Sequence, residues 1–205
     1  MYVPTSFREE RDETILSFLE QFPFATLVSP TENGIVATHL PLVLDRSRRA
    51  LVGHVARANT QWQSMFSGNA SLAIFHGPHA YISPLMYDSS PAVPTWNYAA
   101  IHVTSTPELI EEPSAVAAAV ETVVRRFDHD PSRWRKPEHA DFLEKLLSGI
   151  VAFEMPLARV EAKFKLGQNR SAADQEKMLA SLSAGDDESQ NLARFIEAYR
   201  QGRSQ

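Results

Sequence analysis

Two tight-turn signals commit the first part of this chain to an antiparallel meander. TENG, residues 31–34, sets Asn33-Gly34 between a β-type run, Phe24–Ser29, and a longer one, Gly34–Leu44. An Asn-Gly pair tolerates the positive φ that a short hairpin demands, so the flanking strands must fold back on each other. DRSRR, residues 45–49, makes the next turn, and Leu51–Ala56 the next strand. A chain built from many short antiparallel strands points to a β-barrel.

The remaining segments decorate that barrel. Arg11–Phe22 reads as a helix, because Ile15, Phe18 and Leu19 recur at helical spacing. Asn59–Phe66 reads as a short helix or turn. Ser71–Phe75 and His79–Ser83 are expected as two strands around a break at Gly77-Pro78, and 83–94, with three prolines and adjacent serines, as a loop. Thr95–Ser105 is a strand. Pro113 stands at a favoured first helical position and opens a helix to about Phe127. The connector DHDPSRW and a helical piece, Ala140–Leu147, follow. Ile150–Phe164 returns to β with a break expected at Pro156, since proline cannot donate to a ladder. Ser171 with Asp174 resembles a capping box that opens a helix over Ala172–Leu182, and Gln190–Tyr199 is a last amphipathic helix. There is no repeat, no P-loop and no G-x-G-x-x-G. The βαβα alternation of a doubly wound sheet is also absent. The fold class is therefore mainly β with peripheral helices (α+β). The domain reading is one domain over 1–170, with inserted helices at about 113–148, and a helical extension over 171–205.

Charge and cysteine content narrow the chemistry. The 25 acidic residues outnumber the 20 lysines and arginines, for a net charge of −5. Binding to DNA needs clustered cations that displace counterions from phosphates, so direct operator binding is disfavoured. The local basic spots at Arg46, Arg48 and Arg49, at Arg125 and Arg126, and at Arg133, Arg135 and Lys136 read as solvated surface. With no cysteine there are no disulfides, thiolate metal sites or thiol nucleophiles. The N-terminal residues show no signal-peptide pattern, and no apolar run approaches the ~20 residues of a membrane span, so the cytoplasm is the expected location.

Three features could carry chemistry. The first is the set of seven histidines. His76 and His79 are three apart across a Gly-Pro turn, but no acidic residue or cysteine supports them nearby, and core or ligand hydrogen bonds are favoured over a metal. The second is VPTWNYAAIHV, residues 93–103. Period-two alternation puts Trp96, Tyr98, Ala100 and His102 on one face and Asn97, Ala99, Ile101 and Val103 on the other. The second set is a core row with one amide at its mouth, which a ligand edge or a neighbouring backbone edge could satisfy. The third is KFKLGQNRSAADQ, residues 163–175. Here Lys163 and Lys165 share a strand face, and Gln168, Asn169 and Arg170 lead into a capped helix. Free N–H groups at the helix start and an arginine fork suit a phosphate, while an exposed turn explains the same residues equally well. No catalytic triad stands out. Asp45, Asp88 and Asp128 are all turn residues, which aspartate favours anyway.

ATHLPL, GHVARANTQW, FHGPHAYISP, VPTWNYAAIHV, GIVAFEM and KLGQNR occur in this order along the chain. Together they resemble the PaiB-type proteins, described as FMN-binding negative transcriptional regulators, a branch of the pyridoxamine-phosphate-oxidase-like split-barrel flavoproteins. The likeness runs from Met1 to about Arg170. Thr60, Met86, Ser105 and Gly167 depart from the family pattern of Pro, Trp, Gly and Ser; at Gly167 a hydroxyl donor is replaced by a backbone N–H alone. The resemblance implies a six-stranded antiparallel split β-barrel, a homodimer, and FMN in clefts between subunits. By position, the strands of His39 and of His54 and Ala56, with the turn at Asn59, would flank the phosphate and ring. Trp96 and Asn97 would approach the isoalloxazine edge, and Lys165, Gln168, Asn169 and Arg170 would close the cleft.

Three functions follow as expectations. One is an FMN-binding, PaiB-like regulator acting through a metabolite or protein partner. Another is an FMN-dependent oxidoreductase on a small molecule, in which the flavin does the chemistry and no catalytic side chain is required. The weakest is a haem-binding protein, suggested by the histidines and by the likeness of some split barrels to haem-handling proteins.

Overall fold

A computed structural model describes residues 1–128, 130 and 140–202 of the chain. The basic spot at Arg133, Arg135 and Lys136 lies outside the described residues, as does most of the 128–134 connector. Ten strands and six helices are described: β1 (Arg8–Glu9), α1 (Asp12–Gln21), β2 (Phe24–Thr31), β3 (Gly34–Pro41), β4 (Val43–Asp45), β5 (Ala50–Ala56), α2 (Gln61–Met65), β6 (Ser71–Ile82), β7 (Thr95–Ser105), β8 (Glu108–Ile110), α3 (Pro113–Phe127), α4 (Ala140–Ser148), β9 (Ile150–Pro156), β10 (Arg159–Lys165), α5 (Ala172–Ser183) and α6 (Asp187–Gln201). The strands form two antiparallel sheets, ordered β1-β10-β7-β6-β2-β3 and β4-β5-β9-β8. The fold is mainly β with helices, as the strand pattern predicts, and neither sheet closes on itself. No helix among the described residues is long and apolar enough to cross a membrane.

The β2–β3 hairpin pairs Phe24 with Pro41 at its base and Thr31 with Gly34 at its tip, where Gly34 has φ 122°. The run expected to continue to Leu44 breaks at Leu42. Its side chain is fully buried, and its N–H donates to the Pro23 carbonyl at 2.8 Å instead of to a ladder. The chain thereby passes from the six-stranded sheet into the four-stranded one. Gly53 on β5 makes room for this step, since a Cβ there would sit 2.6 Å from Leu42 Cδ2.

β6 corrects a second expectation, because it continues through Gly77-Pro78 as one strand. Its pairing with β2 runs only from Leu72 to Phe75. By this register the position opposite Pro78 falls before the start of β2, so on this side Pro78 forfeits no ladder bond. The expected break at Pro156 is present. β9 ends there, Leu157 N–H turns to the Arg49 carbonyl, and β10 begins at Arg159. β1 and β8, of two and three residues, are too short to show a period and were not expected.

The chain divides into two compact units. One comprises Met1–Arg11, His76–Ile101 and Glu161–Gln205, and the other Asp12–Phe75 and His102–Val160. In the first, buried residues of β7 (Ala99, Ile101) and β10 (Ala162, Phe164) are accompanied by buried Met178, Leu182, Leu192 and Ile196 of α5 and α6. In the second, Val52 and Ala152, on paired strands β5 and β9, pack with Ala119, Ile110 and Val116.

Candidate functional site

In the first unit β7 alternates as its sequence predicts. Asn97, Ala99 and Ile101 are buried, whereas Trp96 is 51% exposed and Tyr98 half-buried; Ala100, on the Trp96 side, is buried as well. The Asn97 amide is 1% exposed. It donates to Met178 Sδ of α5 at 3.2 Å. The exposed face carries an aromatic group: the Trp96 ring centroid lies 6.2 Å from that of Tyr81, edge-on, and 6.0 Å from that of His79. Aromatic faces so exposed offer area for a flat ring.

Lys165 flanks this group. Its Nζ donates to Thr95 Oγ1 and, at 2.8 Å, to the Trp96 carbonyl. Burial lowers its pKa, and the positive charges of Lys163 and Arg170 lower it further. Lys163 Nζ lies over the rings of Tyr98 (5.3 Å) and Tyr2 (5.6 Å), and the Arg170 guanidinium over that of Tyr87 (4.4 Å). Among the described residues none of these three cations is paired with a carboxylate. In a chain with an acidic excess, three cations satisfied only by rings and neutral oxygens leave positive potential for an anion.

The turn between β10 and α5 explains the rest of the 163–175 cluster. Gly167 has φ 84°, and Arg170 N–H closes the turn on its carbonyl at 2.9 Å. Gln168 serves the turn itself: its Oε1 accepts from Leu166 N–H, and its Nε2 donates to the Phe164 carbonyl. Asn169 is exposed. Ser171 caps α5 by accepting from Asp174 N–H. The expected reciprocal half of the capping box is replaced. The Asp174 carboxylate accepts from Asp88 N–H (2.8 Å), Ser89 N–H (3.0 Å) and Ser89 Oγ (2.6 Å), which hold its pKa down at about 2.

The second unit holds the other candidates. His39 is exposed on β3 opposite Thr26, with Nδ1 3.0 Å from Thr26 Oγ1 and its ring stacked 6.5 Å from Phe24. His54 is half-buried opposite Ala152, and desolvation lowers its pKa toward a neutral imidazole; Ala56 is exposed at the end of β5. The Asn59 amide is engaged internally, accepting from Gln61 N–H (3.1 Å) and donating to Thr38 Oγ1 (2.8 Å). Thr38 in turn donates to Gln61 Oε1 (2.5 Å), and Gln61 Nε2 donates to the Leu27 carbonyl and Ser29 Oγ, both at 3.0 Å. A cleft of about 470 Å³ in this unit is lined by Glu20, Pro23, Val43, Leu44, Arg125 and Arg126, none of them a sequence candidate. Its Glu20 is paired with Arg46 and its Arg125 with Glu121. No three His, Asp or Glu side chains among the described residues converge on a metal position.

Sequence reasoning missed Tyr81, Tyr87, Asp174 as a loop anchor, and the Thr38–Gln61 pair. Tyr81 carried a signal, being two residues from His79 and so on the same strand face. Gln61 carried none.

Residues 1–159 match the family model described as "Putative FMN-binding domain". The chain is 32% identical over 202 residues to the Protease synthase and sporulation protein PAI 2 of Bacillus subtilis, covering 96% of this chain and 95% of that one. Among solved structures, the flavocytochrome Anf3 of Azotobacter vinelandii superposes with a TM-score of 0.63 at 14% identity, over 77% of this chain and 69% of that one. An FAD- and haem-binding protein of Mycobacterium smegmatis gives 0.61 at 16% identity, over 87% and 80%. These structures share the split-barrel fold class that the resemblance implies. The length of the family match, together with the near-complete span of the Bacillus relative, shows that this chain belongs to the FMN-binding-domain family.

Proposed function

We propose that the chain binds FMN and acts as a PaiB-like, flavin-dependent regulator, through a metabolite or protein partner. The observation that carries the binding reading lies within the first unit: exposed Trp96, packed by Tyr81 and His79, stands beside Lys165 in a cluster of cations without carboxylate partners. That combination fits a planar ring bearing a phosphate. The indole covers apolar ring area, and Lys165, Lys163 and Arg170 supply the field for a dianion. Bound flavin supplies electron transfer, and the residues here bind and orient it. His39, His54, Ala56, Asn59, Asn97, Gln168 and Asn169 remain proposed flavin contacts by position in the family resemblance.

We also propose a homodimer. In the second unit Phe24 (66% exposed), Ile35 (77%) and Val36 (38%) present apolar side chains on the β2–β3 hairpin, and β3 is a sheet edge. Such an edge is a template for pairing with a second copy.

Fluorescence titration with FMN tests the binding. Trp96→Ala and Lys165→Ala are each expected to weaken affinity about tenfold or more. Wild-type affinity in both variants would remove this face from the site. Anaerobic reduction of the bound flavin by a nicotinamide donor would shift the reading to the oxidoreductase alternative.

A further inference from the structure

Tyr87 follows the short 3₁₀ turn Pro84–Met86 in the first unit and is 6% exposed. Its hydroxyl lies 3.8 Å from Met178 Sδ, and its carbonyl accepts from Lys177 Nζ at 3.2 Å. The two residues after it are clasped by Asp174, which is 2% exposed and takes both their N–H groups and the Ser89 hydroxyl. Lys177 Nζ also bonds Asp88 Oδ1 at 2.5 Å. α5 thus fixes residues 87–89 with charged hydrogen-bonding groups one turn apart, at positions 174 and 177.

The fixed ring has one visible consequence. The Arg170 guanidinium lies over it, with Cζ 4.4 Å from the ring centroid, while the guanidinium N–H groups find no acceptor among the described residues. A ring beneath a guanidinium restricts its position while using none of its N–H donors, which stay available to take two phosphate oxygens. An arginine without the ring beneath it would sample many rotamers, and ordering it would subtract from affinity.

We propose that the Asp174 clasp on residues 88 and 89 is a positioning device: it holds Tyr87 as a platform that presents Arg170 to the phosphate of the flavin. The clasp thereby sets how strongly the protein prefers FMN over riboflavin, the same ring system without the phosphate. This rests on the FMN reading above.

The test compares dissociation constants of FMN and riboflavin, each titrated against purified full-length protein, with melting curves to confirm folding. The wild type should prefer FMN. Arg170→Ala should remove most of that preference. Asp174→Asn should cut it about tenfold through FMN affinity, with riboflavin affinity changing less than about twofold. Tyr87→Leu should do the same, and Tyr87→Phe should restore the preference, because the ring rather than the hydroxyl is the platform. If Asp174→Asn does not fold, the Tyr87→Leu and Tyr87→Phe pair decides alone. An unchanged preference in folded Tyr87→Leu overturns the proposal, as does equal loss of both ligands, which marks a merely structural role. A wild type that binds riboflavin and FMN equally overturns the clasp while sparing flavin binding. One that binds neither overturns the FMN reading and the clasp with it.

Discussion

The hydroxyl of Tyr199 donates a 2.7 Å hydrogen bond to Glu9 Oε2, joining residues 190 apart in sequence. Glu9 is 5% exposed and is the hub of the contact. It also accepts from Arg11 Nε (3.0 Å), Arg11 Nη2 (2.8 Å) and the N–H groups of Glu10 and Arg11. The Arg11 guanidinium in turn covers the Tyr199 ring at 5.0 Å and reaches the Gly202 carbonyl. Burial raises the Glu9 pKa, but the hydrogen bonds from Arg11 and Tyr199 outweigh it, and the net shift is downward from 4.5. A carboxylate whose folded pKa is depressed contributes stability that is fully present above its unfolded value. That contribution is lost as pH falls through the folded value. The expected outcome is that Tyr199→Phe costs about 1–2 kcal/mol at pH 7, and that the gap from wild type narrows as the pH falls below about 4.5. Urea denaturation at pH 7 and at pH 3.5 measures both. A gap independent of pH would show that the bond to ionised Glu9 is not its source.

Gly167 sits in the turn between β10 and α5. Its φ of 84° is a conformation that side chains disfavour, and a Cβ there would lie 3.0 Å from Met178 Cε, 3.2 Å from Met178 Sδ and 3.4 Å from Asn97 Nδ2. Methionine is flexible enough to yield part of that space, so the backbone term should dominate. Gly167→Ser is expected to destabilise by about 1–2 kcal/mol, a fall in melting temperature of about 3–6 °C for a chain of this size. The same variant should not gain FMN affinity, because the added group points at Met178 and Asn97. A stable Gly167→Ser protein with tighter FMN binding would contradict both halves of that statement.

Legibility in the sequence tracks how local each cause is. The Asn33-Gly34 hairpin was readable because turn chemistry resides in adjacent residues. The two faces of β7 were readable because one is buried and a strand's period is two. The partner of Asn97 was not, since Met178 lies 81 positions further on and no pattern announces a thioether as an acceptor. Pro78 misled, because its tolerance depends on where β2 begins, which is a fact of pairing rather than of composition. In the site, the cations at 163–170 were visible as a cluster, but their lack of carboxylate partners appears only once strands and turns are placed. Asp174 was read as one half of a capping box. Its actual partners, Asp88 and Ser89, sit in a proline-rich loop with no period to read.

Gln61 is a buried polar residue of the second unit, at 1% exposure. Its side chain satisfies the Leu27 carbonyl, Ser29 Oγ and the Thr38 hydroxyl together, and Ser29 Oγ continues to Ser71 Oγ at 2.8 Å. Gln61→Leu keeps similar volume but removes all of these bonds, leaving Leu27 and Ser29 buried and Thr38 half-buried. Each stranded group costs about 1–3 kcal/mol, and partial rearrangement of the serine pair should hold the total near 2–4 kcal/mol. Thr38→Val removes one of the same bonds from the other end. The two substitutions are therefore expected to be less than additive, by about 1 kcal/mol, since the second removes a hydroxyl the first has already stranded. Denaturant midpoints of the wild type, the two single variants and the double variant give that coupling directly. Strict additivity would mean that Thr38 and Gln61 do not share a hydrogen bond in solution, and the internal engagement of Asn59, which donates to the same hydroxyl, would lose its support as well.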